Sequence, residues 1–140
     1  MAQNVRTAMS GDPITVDEGA ALIDGARLMA EHAVGDVLVC DGGSLVGILT
    51  DRDVVVRGVA RGADPINTTV GEACTRELTG VEADQSVDEA LALMRESALR
   101  RLPVVEDDRP IGVIALGDLA VQRDEDSVLG EISAAPPNDI

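Results

Sequence analysis

The chain has 140 residues, 45% of them apolar, and 26 acidic against 11 basic side chains give a formal net charge of −15. That size and apolar content suit one compact domain, or two small fused units, and exclude a disordered tail. The charge excludes general nucleic-acid binding and docking on anionic membranes, since both need clustered basic residues; here every basic residue is Arg, and no Phe, Tyr or Trp is present to stack on bases.

Residues 5–9 form a short opening segment ended by Gly11, Asp12 and Pro13. Residues 14–16 alternate as a short strand, and Asp17 is placed to cap a following helix. Leu22, Ala26, Met29 and Ala33 recur at helical spacing, which predicts an amphipathic helix from about residue 20 to 33. Residues 37–40 form an apolar strand in which Cys40 reads as a small core residue. Residues 41–44 form a tight turn with two glycines, and residues 45–50 return as a second strand. Residues 51–60 pull two ways: three consecutive valines favour a strand, whereas Thr50 followed by acidic residues looks like a helix start.

The same order then recurs. Val16 and Val81, Met29 and Met94, Val39 and Val104, Gly47 and Gly112, and Asp53 and Asp118 are all matched at one offset, 81 − 16 = 65 residues, without a gap. The pattern predicts an opening segment at 70–74 and a strand at 79–81. A helix carrying Val87, Ala90, Leu91, Met94 and Ala98 follows, then strands at 102–105 and 111–115 and a helix from about 117 to 123. The expected fold class is α+β, with tandem β-α-β-β-α repeats. Repeat one spans 4–62, a linker 63–69, repeat two 70–124, and a loose tail 125–140. A duplicated unit points to clefts between the copies as ligand sites.

Chemistry-bearing motifs are sparse. His32 is the single histidine, and with Cys40 and Cys74 it falls short of the roughly four N/S ligands of a structural zinc site. No phosphate loop, dinucleotide-binding, metalloprotease or serine-hydrolase motif is present, and no acid–base constellation stands out, so no enzymatic activity is expected. With no apolar leader at the N-terminus and no long apolar run, the expected location is the cytoplasm, with both thiols reduced.

The octapeptide VGILTDRD at 46–53 and the hexapeptide RRLPVV at 100–105, in register within the duplication, resemble a pair of cystathionine β-synthase (CBS) domains. The resemblance covers roughly residues 4–124 and implies tandem repeats packed sheet to sheet as one pseudo-two-fold module, with modules commonly pairing as homodimers. It also implies clefts that bind adenine nucleotides or S-adenosylmethionine to regulate a partner. AMP, ADP, ATP or S-adenosylmethionine is then the implied regulatory ligand, no cofactor is required, and the regulated protein is a separate, unknown chain.

Residue by residue, the resemblance implies that Asp53 accepts hydrogen bonds from ribose hydroxyls and that Thr50 helps hold phosphate near a helix N-terminus. The same two residues also suit a plain helix cap, and in sequence the two roles look alike. Arg100 and Arg101 match positions that face phosphate, although they equally suit pairing with the many surface carboxylates. In repeat two Asp118 keeps the carboxylate but Ala115 replaces Thr50, which weakens the second cleft. Adenine would lie along the strands near Ile14, Val16, Val37 and Val39, residues that are core candidates first. The alternative to a sensor is a ligand-free dimeric scaffold or stress-associated interaction module.

Overall fold

The repeated pattern folds into short helices and strands in the computed structural model, which describes residues 4–76 and 78–117. In chain order these are α1 (Val5–Ala8), β1 (Ser10–Gly11), β2 (Thr15–Asp17), α2 (Leu22–His32), β3 (Asp36–Asp41), β4 (Ser44–Thr50), α3 (Asp51–Asp53), α4 (Val70–Ala73), β5 (Val81–Glu82), α5 (Val87–Ser97), β6 (Arg101–Glu106) and β7 (Arg109–Ala115). The architecture is α+β, as the alternating periodicities predict. The helix expected from about residue 117, Asp118 and the tail lie outside the described residues.

The chain divides into two compact units. The first takes residues 12–78 and the turn at 107–110; among described residues, the second takes 4–11, 79–106 and 111–117. In the first, the sheet order is β2-β3-β4: β2 pairs parallel with β3 (Val16 opposite Val39) and β3 antiparallel with β4, with a register break between Val39 and Cys40. In the second, the order is β1-β7-β6-β5.

Each unit contains the opening segment of the other sequence repeat. α1 buries Val5 and Ala8 in the second core with Val81, Ala90, Met94, Leu102 and Ile114, and β1 pairs with β7 through Ser10 opposite Val113. At the matching positions, α4 buries Val70 and Ala73 in the first core beside Leu22, Val39 and Leu49, and Thr75 exchanges two backbone hydrogen bonds of 2.9 Å with Ile48 of β4. The crossing segments need room at Gly47 and Gly112. A Cβ at Gly47 would stand 2.9 Å from the Thr75 carbonyl oxygen, and one at Gly112 would stand 2.6 Å from that of Ser10. Glycine is required at both because backbone cannot give way.

The start of α2 differs from the expectation. The N-cap is Ala21, which makes no side-chain cap bond, and Asp17 instead accepts the Gly19 N–H at 2.9 Å. The free N–H groups of α2 are met by the linker: Leu22 donates to the Thr68 carbonyl at 2.8 Å and Ile23 to that of Pro65 at 2.9 Å. A helix end satisfied by backbone from distant sequence needs no local cap. α5 is capped locally, with the Ser86 hydroxyl accepting from Glu89 N–H and the Glu89 carboxylate from Ser86 N–H. The turn after β3 places Gly42 and Gly43 at φ +60 and +90, where glycine is unstrained, whereas its counterpart places Asp107 and Asp108 at φ 53 and 65.

The three valines resolve as helix. α3 runs into a π-helical turn, Val54–Gly58, then a 3-10 turn, Val59–Arg61, ended by Gly62 at φ +67. The Thr50 cap fixes a helical start, and side-chain preference for strand spans only about 1 kcal/mol, which a cap of similar size offsets.

Candidate functional site

Thr50 ends β4 and is the N-cap of α3. Its Oγ1 accepts the Asp53 N–H at 3.0 Å, and the Thr50 N–H donates to Asp53 Oδ2 at 3.0 Å, completing a reciprocal capping box. Among described residues Asp53 is the one buried charged side chain. Burial of a carboxylate demands compensation, and two more residues supply it. Thr75 Oγ1 lies 3.3 Å from both carboxylate oxygens and donates to them. The Arg57 Nε sits 3.9 Å from Oδ1, while its Nη1 donates to the Cys74 carbonyl at 2.9 Å. A carboxylate has about four acceptor directions, so capacity for further donors remains.

The sequence reading missed Thr75 and Arg57. Arg57 follows Asp53 by four residues, a legible pairing on one helical face. Thr75 matches Ser10 at the repeat offset, but only the crossing of the opening segments brings it to Asp53.

The remaining predicted residues fall into distinct settings. Val16, Val37 and Val39 are buried in the first core, with Ile14 packed against it, so their side chains serve packing. The Ile14 carbonyl is also taken, accepting the Leu38 N–H at 3.0 Å. Arg100 and Arg101 are exposed in the second unit, where Arg101 opens β6 and the Arg100 carbonyl accepts the Leu116 N–H at 2.7 Å. Asp118 lies outside the described residues. His32 is exposed at the end of α2, and Met29 and Met94 are core residues. Exposed Asp51 accepts the Arg52 N–H.

Cys40 and Cys74 are buried free thiols. Burial pushes both above the ordinary thiol range, assisted at Cys40 by Asp17; at Cys74, Asp53 and Glu18 add to the rise while Arg76 opposes it. Among described residues no group of three or more His, Cys, Asp or Glu side chains is arranged to hold a metal, and no helix is long and apolar enough to cross a membrane.

A twice-repeated sheet-and-helix unit with a Thr–Asp capping box closing the return strand defines a class, and comparison with known proteins agrees. The CBS domain family model matches residues 5–58 and 70–125. The CBS domain-containing protein YhcV of Bacillus subtilis is 38% identical over 120 residues, covering 86% of this chain and 85% of that protein. The crystal structure of Hypoxic Response Protein I with two coordinated zinc ions has a TM-score of 0.77 at 36% identity, covering 84% of this chain and 97% of that one. A CBS domain pair in complex with 5′-methylthioadenosine and S-adenosyl-L-methionine shares the fold, with a TM-score of 0.76 at 24% identity, over 91% of this chain and 100% of that one. The chain belongs to the CBS domain family and carries two copies of the domain.

Proposed function

We propose that this CBS pair is a regulatory module, not an enzyme, that binds an adenosyl ligand (AMP, ADP, ATP or S-adenosylmethionine) through Thr50 and Asp53 and signals to a separate partner protein in the cytoplasm. The observation carrying this reading is the buried Asp53 carboxylate, held by Thr50 and Thr75 with acceptor capacity to spare for vicinal hydroxyls. Arg100 and Arg101 are assigned to phosphate, and Asp118 to a weaker second site, on the family motif alone. The fold's presence in a complex with adenosyl compounds supports the ligand class. Homodimerisation is part of the reading, supported by Val55, Val56 and Val59, which stand 57%, 44% and 72% exposed on the helical segment after β4. Light scattering showing a monomer at micromolar concentration would remove it.

Titration calorimetry against the four ligands tests the proposal. Asp53→Asn is the informative variant, because it keeps the side-chain shape and one acceptor while removing the charge. Loss of one charge-assisted hydrogen bond, about 1.5–3 kcal/mol, corresponds to roughly 10- to 100-fold weaker binding. No heat with any ligand up to millimolar concentration, checked by equilibrium dialysis, overturns it. A ligand-free dimeric scaffold is the second reading, favoured by the fact that Asp53 is already engaged within the protein.

A further inference from the structure

The helical segment after Asp53 ends its π-turn on an N–H bonded in two registers at once. The Val59 N–H is shared by the carbonyl of Val54, five residues back, and that of Val55, four residues back. The first bond belongs to a π-turn and the second to an α-helix, and single π-turns recur at functional sites. Resolving the turn to α-helix requires this N–H to settle on Val55 and the preceding N–H groups of the five-residue π segment to shift by one carbonyl as well. It would turn Val59 about the helix axis by on the order of 100° relative to Val55, the advance of one residue at 3.6 per turn.

One side chain of this π-turn reaches into the candidate site. Arg57 donates to the Cys74 carbonyl at 2.9 Å and faces Asp53 at 3.9 Å, while its neighbours Val55 and Val56 are exposed. Gly58 has φ −102 and ψ −80, outside the helical values, and a Cβ there would meet Leu22 Cδ2 at 2.9 Å. The turn is therefore anchored at Arg57 and free of a side chain at the next position. A ligand hydroxyl that takes up Asp53 Oδ1, or a phosphate that draws the guanidinium, competes with the Arg57 anchor. A ligand shifts such an equilibrium only through differential contacts in its two states, and Arg57 provides one.

We infer that Arg57 is the relay between the Asp53 site and the valine face: with Arg57 anchored the segment holds the π register, and ligand at Asp53 releases it to the α register, re-presenting Val59 to the second copy of the chain at the homodimer contact proposed above. The trigger rests on the adenosyl-ligand reading above; the relay itself does not.

The experiment is methyl NMR of valine-labelled protein, with Val59 assigned by a Val59→Ile variant, combined with calorimetry against AMP, ATP and S-adenosylmethionine. In wild type, ligand is expected to move the Val59 methyl signals while those of buried Val5 stay fixed. Arg57→Gln without ligand is expected to move Val59 in the same direction, and added ligand to move it no further. Arg57→Lys keeps the charge and a donor for the Cys74 carbonyl, and is expected to resemble wild type; unchanged Val5 signals certify an intact fold. Val59 signals in Arg57→Gln that match unliganded wild type overturn the relay, even where heats show ligand binding. Absence of heat with Val59 still moved by Arg57→Gln sinks the ligand reading and sustains the relay.

Discussion

Replacing Asp53 with alanine removes three supports at once, and their sizes can be worked from the geometry. The capping box loses its returning acceptor, worth about 1 kcal/mol. The Thr75 hydroxyl also loses its partner at a half-buried position, adding a fraction of the roughly 1–3 kcal/mol charged for an unsatisfied buried group. The Arg57 pairing adds little, because that side chain is 41% exposed and the pair is solvent-screened. The expected loss is about 2–3 kcal/mol. Asp53→Asn, which keeps one acceptor for the Thr50 N–H, should cost nearer ~1 kcal/mol. Urea unfolding followed by far-UV circular dichroism measures both, since the chain has no aromatic residue to report by fluorescence. With a slope near 2 kcal/mol per molar, Asp53→Ala should lower the midpoint by roughly 1 M at unchanged slope. A midpoint equal to wild type would refute the structural role assigned to Asp53. A change of slope would mean that the variant altered how much of the chain unfolds together.

Three further outcomes follow from the packing and the turns. Gly47→Ala and Gly112→Ala should each destabilise by about 1–3 kcal/mol, because the new methyl meets backbone oxygen at 2.9 and 2.6 Å; thermal unfolding at or above the wild-type midpoint would contradict the crossing-segment geometry. Asp107→Asn with Asp108→Gly should stabilise by about 0.5–1 kcal/mol, since both positions have positive φ and the Asn-Gly pair suits such a turn; a lower melting temperature would count against it. The buried thiols ionise less readily folded than unfolded, so their contribution is fully present below the unfolded thiol pKa, about 8.5, and declines as pH rises beyond it. The urea midpoint should therefore fall with alkaline pH, and the fall should flatten in a Cys40→Ala, Cys74→Ala variant; equal slopes would contradict this.

The helices around Met29 and Met94 and the strands around Val39 and Val104 were legible because each buries one face, and burial imposes a period that sequence records. The Thr50–Asp53 pair was legible for the same local reason, since a capping box spans four residues. Asp17 misled because a good capping residue says nothing about whether backbone from Pro65 and Thr68 has already met the helix's free donors. The valines at 54–56 were ambiguous because their strand preference and the adjoining cap are of similar size.

By itself, then, the sequence determined the duplication, the α+β class and the residues at the end of β4, all consequences of short-range patterning. Only the tertiary structure decided that each opening segment packs in the unit of the other repeat, that Thr75 and Arg57 complete the shell of Asp53, and that Arg57 ties a π-turn to it. These pairings join residues as far apart as Ser10 and Val113, and a side chain's pattern records that it is buried or capped, not which distant group approaches it.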